Sequence, residues 1–146
     1  MSAYTAADYA ALLERLRAQS DEKYRVFNES LMPGTEHTLG VRVPVLRGMA
    51  KELLRGDWRG FLAQAQPASH EERLLWGMVC AGARCGLDEK LSLLRTFIPV
   101  INNWGVCDIT AGDCKWKEAE LPAVWDFLEP DLTAVDEFQV RFAVVQ

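Results

Sequence analysis

Residues 69–86 read SHEERLLWGMVCAGARCG, and this stretch carries a clear helical signal. Ser69 and Glu72 have the spacing of a capping box, in which each side chain accepts a hydrogen bond from the other residue's backbone N–H. Apolar residues then recur at helical intervals, at Leu74, Leu75, Met78 and Val79. The pattern predicts a helix that begins after Ser69 and ends near residues 85 and 86.

Eight further segments show the same helical period, and Gly, Pro or Asp residues stand between them. They cover residues 4–19, 20–32, 43–55, 57–66, 88–97, 104–115, 122–128 and 135–146. Pro33 and Gly34 are predicted to end the second of these helices. No segment of useful length alternates with a period of two, so the sequence predicts an all-α fold.

Three pairs of predicted helices follow one another at about 30 to 45 residues, a repeat length typical of helical solenoids. The pairs are residues 44–55 with 58–66, 69–84 with 88–97, and 104–115 with 122–128. We therefore expect residues 1–146 to form one domain, an αα-superhelix of degenerate HEAT-like repeats. The last segment ends in apolar residues and has no polar outer face, so we expect a domain that is truncated at the C-terminus.

The composition excludes several classes of protein. With 49% hydrophobic and 25% charged residues in 146, the chain is not intrinsically disordered. Its 16 basic and 21 acidic residues give a net charge of −5, so any contact with nucleic acid must be local. No stretch approaches the roughly 20 apolar residues that a membrane-spanning helix needs. The N-terminus lacks the features of a secretory signal, and we therefore expect a cytoplasmic protein without a membrane partner.

Basic residues are concentrated on one predicted helix. Arg47, Lys51 and Arg55 stand at i, i+4 and i+8 and therefore share a face, with Arg42 and Arg59 on either side. Such a basic ridge suits contact with the phosphates of DNA. The alternative is a solvated helix face on which Glu52 is the local partner.

An aromatic residue and a carboxylate share another helix face. Trp104 and Asp108 are four residues apart, just after Asn103. They place an aromatic plane beside a carboxylate. The alternative is structural: Asn103 caps the helix, Trp104 packs in the core and Asp108 forms a salt bridge with a neighbour.

The remaining reactive residues form no known motif. Four cysteines stand at positions 80, 85, 107 and 114, without the CxxC pairs of zinc ribbons, and the two histidines are at positions 37 and 70. A cysteine nucleophile would need a histidine base, which no motif supplies. Signatures of nucleotide hydrolysis, nicotinamide binding, serine esterases and zinc proteases are absent from the sequence. We expect neither a cofactor nor a metal ion.

Two motifs are more specific than the rest: LGVRVPVLR at residues 39–47 and NWGVCD at residues 103–108. YRVFN at 24–28, LMPG at 31–34 and VRFAV at 140–144 accompany them. Together these motifs resemble the AlkD-like DNA alkylation repair family, from about residue 24 to the last residue. Proteins of that family are αα-superhelices of HEAT-like repeats whose concave face holds duplex DNA.

The resemblance implies a function and a site. It implies a DNA glycosylase that hydrolyses the N-glycosidic bond of cationic N3- and N7-alkylpurines in duplex DNA, without flipping the base into a pocket. Trp104 and Asp108 would then lie in the catalytic cleft, with Arg141 beside them on the DNA backbone. Tyr24 would be a further aromatic residue of the cleft. The DNA contacts expected of Arg42, Arg47, Lys51 and Arg55 come from the spacing of the basic ridge and not from the resemblance. A second cleft tryptophan of the family would fall beyond Gln146.

Two other functions remain open at this stage. One is a DNA-binding protein of the same fold that excises nothing. The other is a HEAT-like scaffold for protein interactions, in which Trp104 is a core residue and the basic ridge meets an acidic partner.

Overall fold

The computed structural model describes residues 2–32 and 37–146, and in this part of the chain helices are joined by turns and loops, without a strand. The predicted all-α fold is therefore confirmed. The α-helices of the described residues are α1 (Ala6–Ala18), α2 (Glu22–Leu31), α3 (Val43–Arg55), α4 (Trp58–Gln64), α5 (His70–Gly82), α6 (Leu87–Phe97), α7 (Trp104–Asp113), α8 (Leu121–Leu128) and α9 (Glu137–Val145). Short 3₁₀ turns cover Ile98–Val100, Glu118–Glu120 and Glu129–Thr133.

Polar side chains begin four of these helices where the sequence places them. Each accepts a hydrogen bond from a backbone N–H of the first turn, at 2.9 to 3.2 Å: Asp21 from Tyr24, Asp57 from Gly60, Ser69 from Glu72 and Asn103 from Val106. Such caps satisfy donors that a helix leaves unpaired at its start. Pro33 and Gly34, predicted to end α2, lie outside the described residues.

Two details of the predicted α5 are wrong. The capping box is only half formed, because the Glu72 carboxylate accepts a hydrogen bond from the Tyr9 hydroxyl at 2.7 Å instead of from the Ser69 backbone. The helix also ends at Gly82, three residues earlier than predicted, and Ala83 has an extended backbone. The Lys90 ammonium donates to the carbonyl oxygens of Cys80 and Ala81 and so satisfies acceptors at this early end.

Four helices form one layer in chain order, with α5 packing on α3, α7 on α5 and α9 on α7. Helices α4 and α6 follow α3 and α5 and pack against them, as predicted for helical repeats. The third predicted pair, α7 with α8, is packed less closely than the other two, because α7 packs mainly against α5 and α9. The described chain thus has the arrangement of a helical-repeat superhelix, in which the first helices of successive pairs are neighbours.

Helix α5 is the centre of the core and is buried on almost every side. Gly77 allows α7 to approach closely, since a Cβ at this position would lie 2.0 Å from Thr110 Oγ1 and 2.8 Å from Phe97 Cζ. Among the residues with core spacing in the sequence, Leu46, Met49, Leu75, Val79 and Leu94 are buried, whereas Leu53 and Leu91 are half-buried at the margin of the core.

The first turn of α5 is polar but buried, and it fixes three other parts of the chain. Asn103 Nδ2, at the start of α7, lies 3.1 Å from His70 Nδ1. The fully buried Glu71 carboxylate accepts hydrogen bonds from the backbone N–H groups of residues 39, 40 and 41, at 2.8, 3.0 and 3.3 Å. The Glu72 carboxylate accepts a hydrogen bond from the hydroxyl of Tyr9 in α1. These bonds place the starts of α3, α5 and α7 side by side.

We expect Gly77→Ala to destabilise the protein by about 1–3 kcal/mol, the usual cost of adding a methyl group to a close-packed interior. Gly48→Ala is the matched control, because no atom lies within 4 Å of a Cβ at that helical position. It should leave stability unchanged or raise it by about 0.5–1 kcal/mol. Urea unfolding followed by circular dichroism measures both changes, and equal stabilities would contradict the close packing of α5 on α7.

Glu71→Gln should cost about 2–3 kcal/mol, because the amide has one acceptor oxygen and turns an NH2 group toward backbone donors. Glu118→Gln, a surface substitution, should change stability by less than about 0.5 kcal/mol. The comparison is made by the same urea unfolding. Equal effects of the two substitutions would show that the buried carboxylate is not needed to hold residues 39–41.

Candidate active site

Trp104 and Asp108 both lie on the outer side of α7. Val106, Cys107, Thr110 and Ala111 occupy the buried side of this helix, which leaves the positions of Trp104 and Asp108 facing outward. Trp104 is 45% exposed, and its indole N–H donates a hydrogen bond to the Leu31 carbonyl oxygen at 3.3 Å. The structural alternative is therefore wrong for Trp104, but it is right for Asn103, which caps the helix, and for Asp108, which forms a salt bridge.

Asp108 is ion-paired with Arg141 of α9. The Arg141 Nε and Nη2 atoms each donate to one oxygen of the Asp108 carboxylate, both at 2.7 Å. The guanidinium lowers the pKa of Asp108, and the carboxylate raises the pKa of Arg141. Asp108 is therefore ionised at neutral pH and stays partly exposed. The structure thus brings together two of the residues that the sequence assigns to catalysis, from helices 33 residues apart.

Tyr24 lies on α2, the helix whose last residue, Leu31, receives the Trp104 hydrogen bond. The Arg42 guanidinium lies over the Tyr24 ring, 4.9 Å from its centroid, and also donates to the Asp21 carboxylate at 3.2 Å. Within the described residues, no hydrogen bond or ring contact joins Tyr24 to Trp104 or Asp108. Tyr24 and Arg42 therefore form a pair of their own.

The predicted basic ridge divides into paired and unpaired cations. Arg47 donates to both oxygens of Asp113, at 3.1 and 2.9 Å, whereas Lys51 and Arg55 have no ion-pair partner among the described residues. Glu52 is not their partner, because it forms an ion pair with Arg15 at 3.0 Å. Glu52 as the local partner of the ridge is therefore wrong, whereas the alternative of a solvated helix face stays open.

A model of the family described as "DNA alkylation repair enzyme" matches residues 12–145. The chain belongs to this DNA alkylation repair family. Family membership indicates a role in DNA alkylation repair and DNA as the substrate, and it agrees with the AlkD-like motifs of the sequence. No curated protein and no solved structure matches the chain.

The position of α7 in this family member depends on a histidine that the sequence analysis did not select. Asn103 Oδ1 accepts from the Val106 N–H at 2.9 Å, which orients Asn103 Nδ2 toward His70 Nδ1 and toward Asn102 Oδ1. His70 Nδ1 is therefore an acceptor and carries no proton. The only sequence signal for this role is that a polar residue, His70, directly follows the Ser69 cap.

Neither the buried cysteines nor the helices of the described residues provide a thiolate, a metal site or a membrane span. Burial raises the pKa of Cys107 and of Cys114 to about 11, so neither is a thiolate at neutral pH. In residues 2–32 and 37–146, no group of three His, Cys, Asp or Glu side chains could hold a metal ion. No helix described here is long and apolar enough to cross a membrane.

His70 should make stability depend on pH. Burial lowers the pKa of His70 in the folded protein below the ordinary value near 6.5, so the unfolded chain binds its proton at higher pH. The free energy of unfolding should therefore fall as pH decreases below about 6.5. The charged groups that act on His70 are the Glu71 carboxylate, which raises its pKa, and the Arg73 guanidinium, which lowers it; both effects are smaller than that of burial.

His70→Gln is the control, because glutamine has an acceptor oxygen for Asn103 but does not titrate. Urea unfolding at pH 7.5 and 5.5 should show a larger loss of stability for the parent protein than for His70→Gln. His37 is present in both proteins and cancels in the comparison. Equal losses would contradict a neutral, buried His70.

Proposed function

We propose that this protein is a DNA glycosylase that releases cationic N3- and N7-alkylpurines from duplex DNA. The observation that carries the proposal is the ionised carboxylate of Asp108, held by Arg141 on the open side of α7, one helical turn from the exposed ring of Trp104. In a member of a DNA alkylation repair family, this pair of groups suits the chemistry of an alkylated nucleotide.

The alkylated base is already a good leaving group. Alkylation at N3 or N7 gives the purine a positive charge, so the glycosidic bond breaks without protonation of the base. The enzyme has to stabilise the sugar as it becomes an oxocarbenium ion, and to supply a water molecule. A fixed negative charge near the sugar does the first, and the same carboxylate orients the water for attack at the anomeric carbon.

Arg141 prepares Asp108 for this role. Its two hydrogen bonds fix the plane of the carboxylate and keep it ionised, which a carboxylate facing a cationic transition state must be. Arg141 is itself about half exposed, so its guanidinium can contact a DNA phosphate while it holds Asp108. Bound DNA would then draw part of the guanidinium charge away from Asp108 and leave the carboxylate freer to act on the sugar.

Trp104 supplies an aromatic face. Its hydrogen bond to Leu31 fixes the indole between α2 and α7. A cationic base or sugar over this ring gains about 0.5–2 kcal/mol from cation–π attraction. Because the ring is exposed, the lesion reaches it from the surface.

The test is release of 7-methylguanine from a duplex by the parent protein and by Asp108→Asn. Asparagine keeps the size and loses the charge, so excision should slow by about 10²-fold or more, while DNA affinity stays the same or improves. Asp113→Asn is the matched control, since Asp113 lies on the same helix and is also paired with an arginine. It should leave the rate of excision nearly unchanged.

Each negative result of this test leads to a different conclusion about the function. If the parent protein binds duplex DNA but releases no base, the function is DNA binding without excision. Absence of DNA affinity would instead favour a protein-interaction scaffold. If Asp108→Asn and the parent excise at equal rates, Asp108 has no role in the reaction.

A further inference from the structure

An open apolar groove of about 570 Å³ is lined by α8, by the 3₁₀ turn after it and by α9. Its lining residues include Leu121, Trp125, Leu128, Leu132, Ala143 and Val144. The first three of these stand at i, i+4 and i+7, so they form one stripe along α8. Glu129 is the only charged side chain among the described residues that line the groove.

Several apolar side chains of this groove are exposed to solvent. Trp125 is 59% exposed and Val144 is 68% exposed, and Leu121 is exposed as well. Single exposed apolar residues are ordinary, but a contiguous apolar surface marks a site of contact with a partner. The groove between α8 and α9 is therefore a candidate interaction surface.

Hydrogen bonds hold one end of the groove in place. The indole N–H of Trp116, which lines the groove, donates to Gln146 Oε1 at 2.8 Å. Gln146 Nε2 in turn donates to the Ala111 carbonyl oxygen of α7 at 3.2 Å. These bonds join the end of α9 to α7, so the groove is formed before a partner binds. A preformed site spares the partner the cost of ordering it.

The segment that contains α8 and the start of α9 is acidic throughout. Residues 118–140 contain seven carboxylates and no lysine, arginine or histidine. The seven are Glu118, Glu120, Asp126, Glu129, Asp131, Asp136 and Glu137. In the part of the chain that the structure describes, none of them forms an ion pair. The groove is thus apolar inside and negatively charged around.

This charge decides between the possible occupants. DNA and anionic lipid surfaces have the same sign of charge as the segment, so they are repelled. A second copy that docks by two-fold symmetry would place the same carboxylates against each other, which is also unfavourable. A cationic partner is attracted. Because two helices form the groove, the shape that fits it is a third helix with one apolar face.

We propose that the groove between α8 and α9 is a docking site for a basic amphipathic helix of a partner protein. Apolar residues of that helix at i, i+3, i+4 and i+7 would contact Leu121, Trp125 and Val144. Lysines or arginines beside its apolar face would pair with Asp126 and Glu129, which border the stripe on α8. This inference goes beyond the proposed function and does not depend on it, because no DNA is involved.

The test uses a synthetic, fluorophore-labelled helical peptide of about 18 residues as the probe. Its leucines repeat at i, i+3, i+4 and i+7, and its remaining positions alternate between lysine and alanine. Fluorescence anisotropy should show binding to the parent protein that weakens as salt is added. A second peptide with glutamate in place of every lysine keeps the same leucines and should bind at least about 10-fold more weakly.

Trp125→Ala should weaken binding of the lysine peptide by about 10-fold or more, since a central tryptophan carries much of the affinity of such an interface. Phe27→Ala is the matched control: Phe27 is 58% exposed, close to the value for Trp125, but lies on α2. It should change the affinity by less than about twofold. Circular dichroism and thermal unfolding show whether both variants are folded.

A second variant tests the charges without removing apolar surface. Asp126→Asn together with Glu129→Gln should weaken binding of the lysine peptide by about three-fold or more and flatten its salt dependence. The control is Glu14→Gln with Glu52→Gln, which removes the same charge from α1 and α3. It should have a smaller effect. Equal effects of the two double variants would show a response to net charge alone and would overturn the proposal.

The remaining outcomes separate this proposal from the glycosylase. A protein that binds the lysine peptide through Trp125 but excises no 7-methylguanine would support the groove and refute the proposed function. Excision without peptide binding would refute the groove alone. Equal binding of the two peptides would overturn the proposal, and so would a dimer in sedimentation experiments that Trp125→Ala dissociates, because a second copy would then occupy the groove.

Discussion

The buried first turn of α5 is the constraint on which the rest of the molecule depends. His70, Glu71 and Glu72 are consecutive, and each is bonded to a different part of the chain: the start of α7, the segment before α3, and α1. Buried polar groups are costly unless they are bonded, so these contacts allow little freedom in how the helices meet. The close approach of α7 at Gly77 then follows from this alignment.

This alignment also explains where the candidate site is. Because the buried side of α7 packs on α5, Trp104 and Asp108 lie on the outer side of α7. Helix α9 packs on the next side of α7 and brings Arg141 to Asp108. The candidate site thus arises from one helix that is held firmly and a second that supplies one charged side chain.

Tertiary contacts also decide which of the cations are paired with carboxylates. A protein with a net charge of −5 binds a polyanion only through local groups, and here the acidic residues neutralise most of the arginines. Contact with DNA would therefore depend on which cations remain unpaired. Arg42 and Arg47 have carboxylate partners at 3.2 and 2.9 Å, whereas Lys51 and Arg55 have no ion-pair partner among the described residues.

The sequence by itself determined which segments are helical, four of the side-chain caps and the family, because helical period, capping side chains and short motifs are local properties. It also selected Trp104, Asp108 and Arg141 through those motifs. Only the tertiary structure decided that α5 ends at Gly82, that Asp108 is paired with Arg141, and that Glu52 is not the ridge's partner. Ion pairs and cavities join residues far apart in the chain, and a local pattern carries no information about which of them meet.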